Sequence, residues 1–291
     1  MEANFEKALK EYIKHMPSLP TSVTKVLEIC NNPQTSPADL NHVISLDPVL
    51  VGRVLKLINS AYYSLGQPVT NLARAIIMLG INTVKNLALS TAVMGYLSSK
   101  KSFAGLNMEG FWRHSLCVGV SAKLLAKKRG IDPKFTEEFF TAGLLHDIGK
   151  IPINALLPKE YMLTISTADR VRKSLHQAEV KALGINHCTT GAMIKAAWKL
   201  EGAVGDTIVN HHDCEAYTGE HTEVLYSVAA ANRFALISEI GFSGDCHPSA
   251  LPASVWEVLN VSRDVFDDLE GDVTGEIEKA EIFLKIGQTE E

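Results

Sequence analysis

The sequence predicts an all-α fold, a helical bundle with an N-terminal helical lobe, on three observations. Capping side chains stand directly ahead of prolines at Ser36-Pro37, Asp47-Pro48 and Asp132-Pro133, the arrangement that opens a helix. Apolar residues recur at helical spacing through most of the chain. No period-two alternation persists long enough for a strand, and no fixed-period repeat or low-complexity tract interrupts the pattern.

Taken in order, short helices open at Ser36-Pro37 and Asp47-Pro48, and in the second Val51, Val54, Leu55 and Ile58 share one face until it fades near Asn59-Ser60. Asn71 caps a helix carrying Leu72, Ala75, Ile76 and Leu79, which Gly80 ends as a left-handed terminator. Asn82 is placed to cap the next, running to about Leu97. Ser98 to Gly110, with two lysines, two glycines and little periodicity, reads as a linker. A helix from Met108 to about Arg129 stops at Gly130, its Lys127-Lys128-Arg129 run complementing the macrodipole, and the next carries Phe139, Phe140, Leu144 and Leu145 towards His146. Further helices are expected at His187–Leu200, Ala203–His212 and Thr222–Ser238. Amphipathic stretches at Ala253–Leu259 and Asp264–Ile286 close the bundle, and Gly287 to Glu291 should fray.

Composition narrows the function class. With 46% hydrophobic and 21% charged residues over 291 positions, the chain can bury a large core and is neither disordered nor membrane-rich. A net charge of -5 provides no positive field for a phosphate backbone, so nucleic acid is not an expected partner. Five scattered cysteines without a CxxC pair read as reduced thiols. No signal-like start and no apolar run of about 20 residues point to the cytoplasm, with no membrane partner.

The strongest local signal is Leu144-Leu145-His146-Asp147-Ile148-Gly149-Lys150, where an apolar helix delivers an imidazole and a carboxylate side by side before a glycine that frees the backbone. Consecutive helical side chains diverge by about 100 degrees, so the two need neighbours to form a cluster, in which the carboxylate could bridge two metals. His114, His187 and the pair His211-His212 stand on separate predicted helices and are the candidate neighbours. Imidazole with carboxylate suits a divalent transition metal, Fe, Mn, Ni or Zn, as one or two ions, over Ca or Mg. His15, His42, His176, His221 and His247 have no spacing partner and read as surface groups. Tyr62-Tyr63 reads as helix-end packing, and Asp213 and Glu215 as solvated loop acids.

The succession His114, His146-Asp147, Lys150, His187, His211-His212 resembles the HD superfamily of metal-dependent phosphohydrolases, and within it the HD-GYP branch that hydrolyses cyclic dinucleotides. The N-terminal part, through Leu46-Asp47-Pro48, Asn59-Ser60-Ala61-Tyr62-Tyr63, Ala75-Ile76 and Leu79-Gly80, is similar to the HDOD family, the HD-related output domains of bacterial signal transduction. Together these resemblances imply an HD-superfamily-like bundle with an HDOD domain over 19–213. Its lobe would be 19–97 and its metal-binding part 108–213, with 214–291 adding helices that complete the bundle. They further imply that His114, His146, Asp147, His187, His211 and His212 ligate metal, that Asp147 and Lys150 serve any catalysis, and that Lys150 faces a phosphate, a solvated helix end being the other reading of that lysine. Two departures stand out. Asn232, in Ala230-Ala231-Asn232-Arg233-Phe234, occupies the place of the family's last metal-binding aspartate, an uncharged amide that could still ligate. After His211-His212 the chain reads Asp213-Cys214-Glu215-Ala216-Tyr217-Thr218-Gly219, without Gly-Tyr-Pro. The resemblance favours a regulatory module that engages a signalling partner protein or a nucleotide or phosphodiester ligand. A phosphohydrolase acting on such a ligand and a metal-free interaction domain are the competing readings.

Overall fold

A computed structural model describes residues 2–16, 18–32, 34–98 and 105–287, and every regular element among the described residues is a helix. The N-terminal elements are α1 (Glu2–His15), α2 (Thr21–Cys30), α3 (Pro37–Ser45), α4 (Pro48–Ile58), α5 (Leu72–Leu79) and α6 (Ile81–Ser98). The middle holds α7 (Met108–Lys128), α8 (Pro133–Leu145), α9 (Lys150–Leu156), α10 (Pro158–Val171), α11 (Leu175–Leu183), α12 (His187–Trp198) and α13 (Gly202–Asn210). Four more follow: α14 (Thr222–Ile237), α15 (Ala253–Leu259), α16 (Glu270–Ala280) and α17 (Ile282–Gly287).

The proline-associated starts form as expected. Ser36 makes a full capping box with Asp39, while Asp47 and Asp132 accept from Leu50 N and Lys134 N. Asn71 likewise caps α5. Gly80 has a positive φ of 86° but a ψ of 158°, so it is an extended corner rather than a left-handed terminator. The chain turns through 118° there and α6 starts at once, which leaves Asn82 inside the helix and not at its cap. Of the linker expected over Ser98–Gly110, Ser98 ends α6 and residues 108–110 open α7, while 99–104 lie outside the described residues. The stretch Asp264–Ile286 divides into a turn, α16 and α17; Gly287 belongs to α17, and 288–291 lie outside the described residues.

Helices α1, α2 and α9 to α11 were not legible in the pattern. The last four have no side-chain cap, and α9 follows the preceding turn with a proline, Pro152, in its own first turn.

At the centre α7 and α8 are buried on nearly every side, so neither shows the narrow apolar stripe of a surface helix. They cross with their backbones touching: a Cβ on Gly119 would lie 2.7 Å from Phe140 O, and one on Gly143 would lie 2.7 Å from the Gly119 Cα. This crossing sets His114, five residues before Gly119, beside His146, three residues after Gly143. Around the pair, α14 packs on both α7 and α8, α13 on α8, α12 on α13 and α9, and α6 on α8. The C-terminal helices return to the front of the chain, α16 against α7 and α17 against α6 and α4.

Where α4 ends, Tyr62 is buried against Phe140 and Phe283, with Tyr63 edge-on to it, as the packing reading of Tyr62-Tyr63 required. Lys123 donates from Nζ to Tyr62 Oη at 3.0 Å and to Glu137 Oε2 at 2.6 Å, so the buried acid is paired. No single helix among the described residues is long and apolar enough to cross a membrane.

Candidate metal centre

Four helices, α7, α9, α12 and α14, and the two turns that follow α8 and α13 converge on Asp147. The segment after α8 does not continue as an α-helix: Ile148 N bonds to Leu145 O and Lys150 N to Asp147 O in tight i to i+3 turns. That tightening brings His146 Nε2 to 3.3 Å from Asp147 Oδ2, despite the divergence expected of helical neighbours. His187 Nε2, at the first position of α12 behind an Asn186 cap, lies 3.4 Å from Asp147 Oδ1. His211, the C-terminal cap of α13, places Nε2 3.5 Å from the same oxygen. From α7, His114 Nε2 stands 3.9 Å from Oδ2. His212 adjoins His211 and His187 with ring centroids 4.4 and 5.0 Å away. Two donor groups result, His114, His146 and Asp147 on one side and Asp147, His187, His211 and His212 on the other, sharing the carboxylate.

Gly149 makes the convergence possible for a reason other than backbone freedom. Its φ of -63° is open to any residue, but an added Cβ would meet His187 O at 1.9 Å and Gly191 N at 2.7 Å. Only a missing side chain lets α9 and α12 approach closely enough to bring His187 to Asp147.

The protonation pattern follows from the outer partners. His146 Nδ1 faces Gly143 O at 2.7 Å and His211 Nδ1 faces Thr207 O at 3.0 Å; carbonyl oxygens only accept, so both Nδ1 atoms carry the proton. His187 Nδ1 sits 2.6 Å from Glu179 Oε2, which also accepts the His187 backbone N–H at 2.9 Å. In each neutral ring the Nε2 lone pair is then turned inward. His146 Nε2, His187 Nε2, His211 Nε2 and Asp147 Oδ1 are all buried without a hydrogen-bond partner.

Acceptor facing acceptor in a dry interior is costly unless a cation lies between them. Two ligands about 2.1 Å from one ion, at tetrahedral or octahedral angles, lie roughly 3.0 to 3.5 Å apart. The observed nitrogen to oxygen spacings of 3.3, 3.4 and 3.5 Å fit that. The donor set therefore suits a transition metal.

Electrostatics point the same way. Burial lowers the imidazoles of His187 and His211 below their ordinary range and takes His114 down to about 3, keeping these rings neutral. For Asp147, burial alone would raise the carboxyl, but the adjoining His146 and the Lys150 ammonium outweigh it and hold the group well below the usual carboxylate range. Burial pushes Glu179 up to about 7, against the pull of Lys150 and of its hydrogen bonds from Tyr161 and His187.

The remaining predicted residues divide. Asn232 is buried on α14 with Oδ1 3.0 Å from His114 Nε2, so it stands at the centre and accepts from that ring. Lys150 is not a solvated helix end: it is buried, donating to Asp147 Oδ2 at 2.7 Å and to Ser243 O and Oγ at 3.1 and 3.3 Å. Asp213 and Glu215 are exposed, in keeping with solvated loop acids. A cavity of about 160 Å³ beside the centre is lined by His211, His212, Cys214, Asn232 and Arg233 together with the segment from Pro248 to Pro252.

Sequence reasoning missed Glu179, Tyr161, Ser243 and His176. His176, expected at the surface, is partly buried, stacks on His212 at 4.7 Å and pairs with Asn186. None of these has a spacing relation to the His-Asp pair, and they arrive on α10, α11 and the segment after α14. That segment is fitted over the site by Gly241, whose missing Cβ would lie 2.2 Å from His114 N, and by Phe242 N bonding to Gly110 O at 2.8 Å.

Comparison with known proteins places this architecture. A relative from Treponema pallidum (strain Nichols), an uncharacterized protein, is 26% identical over 227 residues, which is 77% of this chain and 43% of that protein. The chain thus spans less than half the length of this relative. An HDOD domain protein of unknown function from Geobacter sulfurreducens superposes with a TM-score of 0.75 at 25% identity, covering 95% of this chain and 97% of that one. A Shewanella amazonensis SB2B protein provisionally named a phosphohydrolase shares the fold, with a TM-score of 0.66, 24% identity and coverage of 96% and 97%. The model of the HDOD domain matches residues 16–214, more than two thirds of the sequence, and the chain belongs to the HDOD domain family.

Proposed function

We propose that this chain is a regulatory module of bacterial signal transduction in which a transition-metal centre fastens helices from distant parts of the sequence. The observation that carries the reading is the set of four inward, buried and unpartnered ligand atoms, His146 Nε2, His187 Nε2, His211 Nε2 and Asp147 Oδ1. Bound to the native state alone, an ion there stabilises the fold by linkage, so metal availability becomes stability and shape that a signalling partner can register. A closed donor set is the mark of structural metal sites, whereas catalytic ones keep a position open. His114, His146, Asp147, His187 and His211 are each only 1% exposed, and Lys150 is engaged by Asp147 and Ser243.

The cavity beside His211, His212 and Asn232 favours a second reading, a phosphohydrolase acting on a nucleotide or phosphodiester. When bound, the metal would lower the pKa of a water and polarise a phosphoryl oxygen. Here His212, half-buried at the cavity, would orient the ligand and Asn232 would offer only an amide oxygen, with no charge to take up a proton.

One experiment separates the two. Melting curves with and without a chelator are paired with turnover of a nucleotide and phosphodiester panel by the wild type, His187→Ala and Asp147→Ala. The regulatory reading expects a chelator-induced fall of several degrees that both variants abolish, and no turnover above theirs. Metal-dependent turnover that both variants lose would overturn it in favour of the enzyme.

A further inference from the structure

Given the metal centre proposed above, on which this inference rests, we infer that it holds one ion and that Lys150 occupies the place of a second. The two sides of Asp147 are not equivalent. On the Oδ1 side, Oδ1, His187 Nε2 and His211 Nε2 all lack a partner. On the Oδ2 side, two of the three donors are already engaged by the protein. Oδ2 accepts from Lys150 Nζ at 2.7 Å, and His114 Nε2 is bonded to Asn232 Oδ1 at 3.0 Å.

Lys150 is held there as a fixed cation. Its side chain is 3% exposed, and Ser243 O and Oγ take its remaining donors at 3.1 and 3.3 Å, so it is anchored from the segment that crosses the site as well as from Asp147. An ammonium at hydrogen-bond distance from Oδ2 neutralises that oxygen and repels a divalent ion from the His114 and His146 side.

Charge balance agrees. Two carboxylates touch the donor set, Asp147 directly and Glu179 through His187, against one ammonium. One divalent ion leaves a small net positive charge in this dry site, whereas two would leave a large one. The uncharged amide of Asn232, in the place where a carboxylate would help to hold a second ion, removes the remaining compensation. Lys150 is in this sense a positioning residue, fixing both the ion count and the side of Asp147 on which the ion sits.

The test is the metal content of the purified full chain after loading with Mn2+ or Zn2+ and removal of the excess, read by elemental analysis for the wild type, Lys150→Met, Lys150→Arg, His114→Ala and His187→Ala. The expected ratios are one ion per chain for the wild type and Lys150→Arg, and a rise towards two for Lys150→Met. His114→Ala keeps its ion and His187→Ala loses it. Electron paramagnetic resonance of the manganese-loaded wild type should show an isolated ion without exchange coupling. Two ions or a coupled spectrum in the wild type overturn the inference and leave the metal centre standing. A ratio that stays at one in Lys150→Met rejects the role of Lys150, and no ion in the wild type rejects the metal centre itself. Should Lys150→Met fail to fold, the wild-type ratio and the His114→Ala and His187→Ala pair still decide between one ion and two.

Discussion

Glu179→Gln tests whether the buried carboxylate behind His187 orients the metal ligand, because glutamine keeps the shape and removes only the charge. In the native site Glu179 Oε2 accepts both the backbone N–H and Nδ1–H of His187, at 2.9 and 2.6 Å, while Oε1 accepts Tyr161 Oη–H at 2.7 Å. Alanine would strand three buried donors at about 1 to 3 kcal/mol each and confuse folding with binding. Glutamine keeps an acceptor oxygen for His187 and offers its amide to the tyrosine oxygen. What it loses is the basicity that a carboxylate lends to a metal-bound imidazole, worth roughly 10- to 100-fold in metal affinity. That is about 1.4 to 2.7 kcal/mol. With an unfolding entropy of about 2.1 cal/mol/K per residue, a chain of 291 residues changes by about 0.6 kcal/mol per degree, so the metal-loaded melting temperature should fall by roughly 2 to 4 °C. The chelated protein should melt close to the chelated wild type, since glutamine keeps the buried hydrogen bonds and removes a charge that burial disfavours, as the rise of Glu179 to about 7 reflects. Calorimetry in both states, with chelator competition for affinity, is the assay. Equal falls in the loaded and chelated forms with unchanged metal affinity would refute the orienting role.

Two further outcomes follow from the same geometry. Gly149→Ala puts a methyl into the His187 and Gly191 backbone, so α9 and α12 must part; stability should drop by about 3 kcal/mol and metal retention at least tenfold, and metal retention equal to wild type would contradict the close-approach account. In the metal-free protein, acid should destabilise the fold: unfolded histidines take up protons near pH 6.5, whereas buried His187 and His211 are lowered and His114 stays neutral down to about 3. Their contribution is complete above pH 6.5 and is lost as the pH falls. Glu179, raised to about 7, works the other way and releases a proton on unfolding near pH 5. Uptake by these buried histidines and by His212, which burial also holds well below its ordinary range, outweighs the one proton that Glu179 releases, so stability should fall with acid, and denaturant titrations showing it level or rising towards acid would rule this out.

How much of this was legible from the chain depends on how local each cause is. The helix starts at Ser36-Pro37, Asp47-Pro48, Asn71 and Asp132-Pro133 were readable because a cap is a contact within three residues. The corner at Gly80 was visible as a break, but its extended ψ, and with it the start of α6 ahead of Asn82, is set by how α5 and α6 pack. Helices α9 to α11 escaped because they lack side-chain caps and are held by what they lie against.

The site divides along the same line. Residue type singled out His114, His146, Asp147, His187, His211 and His212, because imidazole and carboxylate are the chemistry of a transition-metal site wherever they stand, and the family pattern marked Asn232. Only the tertiary structure decided which atoms face inward. The carbonyls of Gly143 and Thr207 and the Glu179 carboxylate hold the proton on Nδ1 and turn each Nε2 towards Asp147. It also placed Lys150 on Asp147 and Ser243, where sequence alone left it between a phosphate contact and a solvated helix end. The physical reason is range: a side chain's chemistry is carried by its own residue, whereas its protonation, burial and partner are conferred by groups as far as 118 positions away that meet it only when the helices pack.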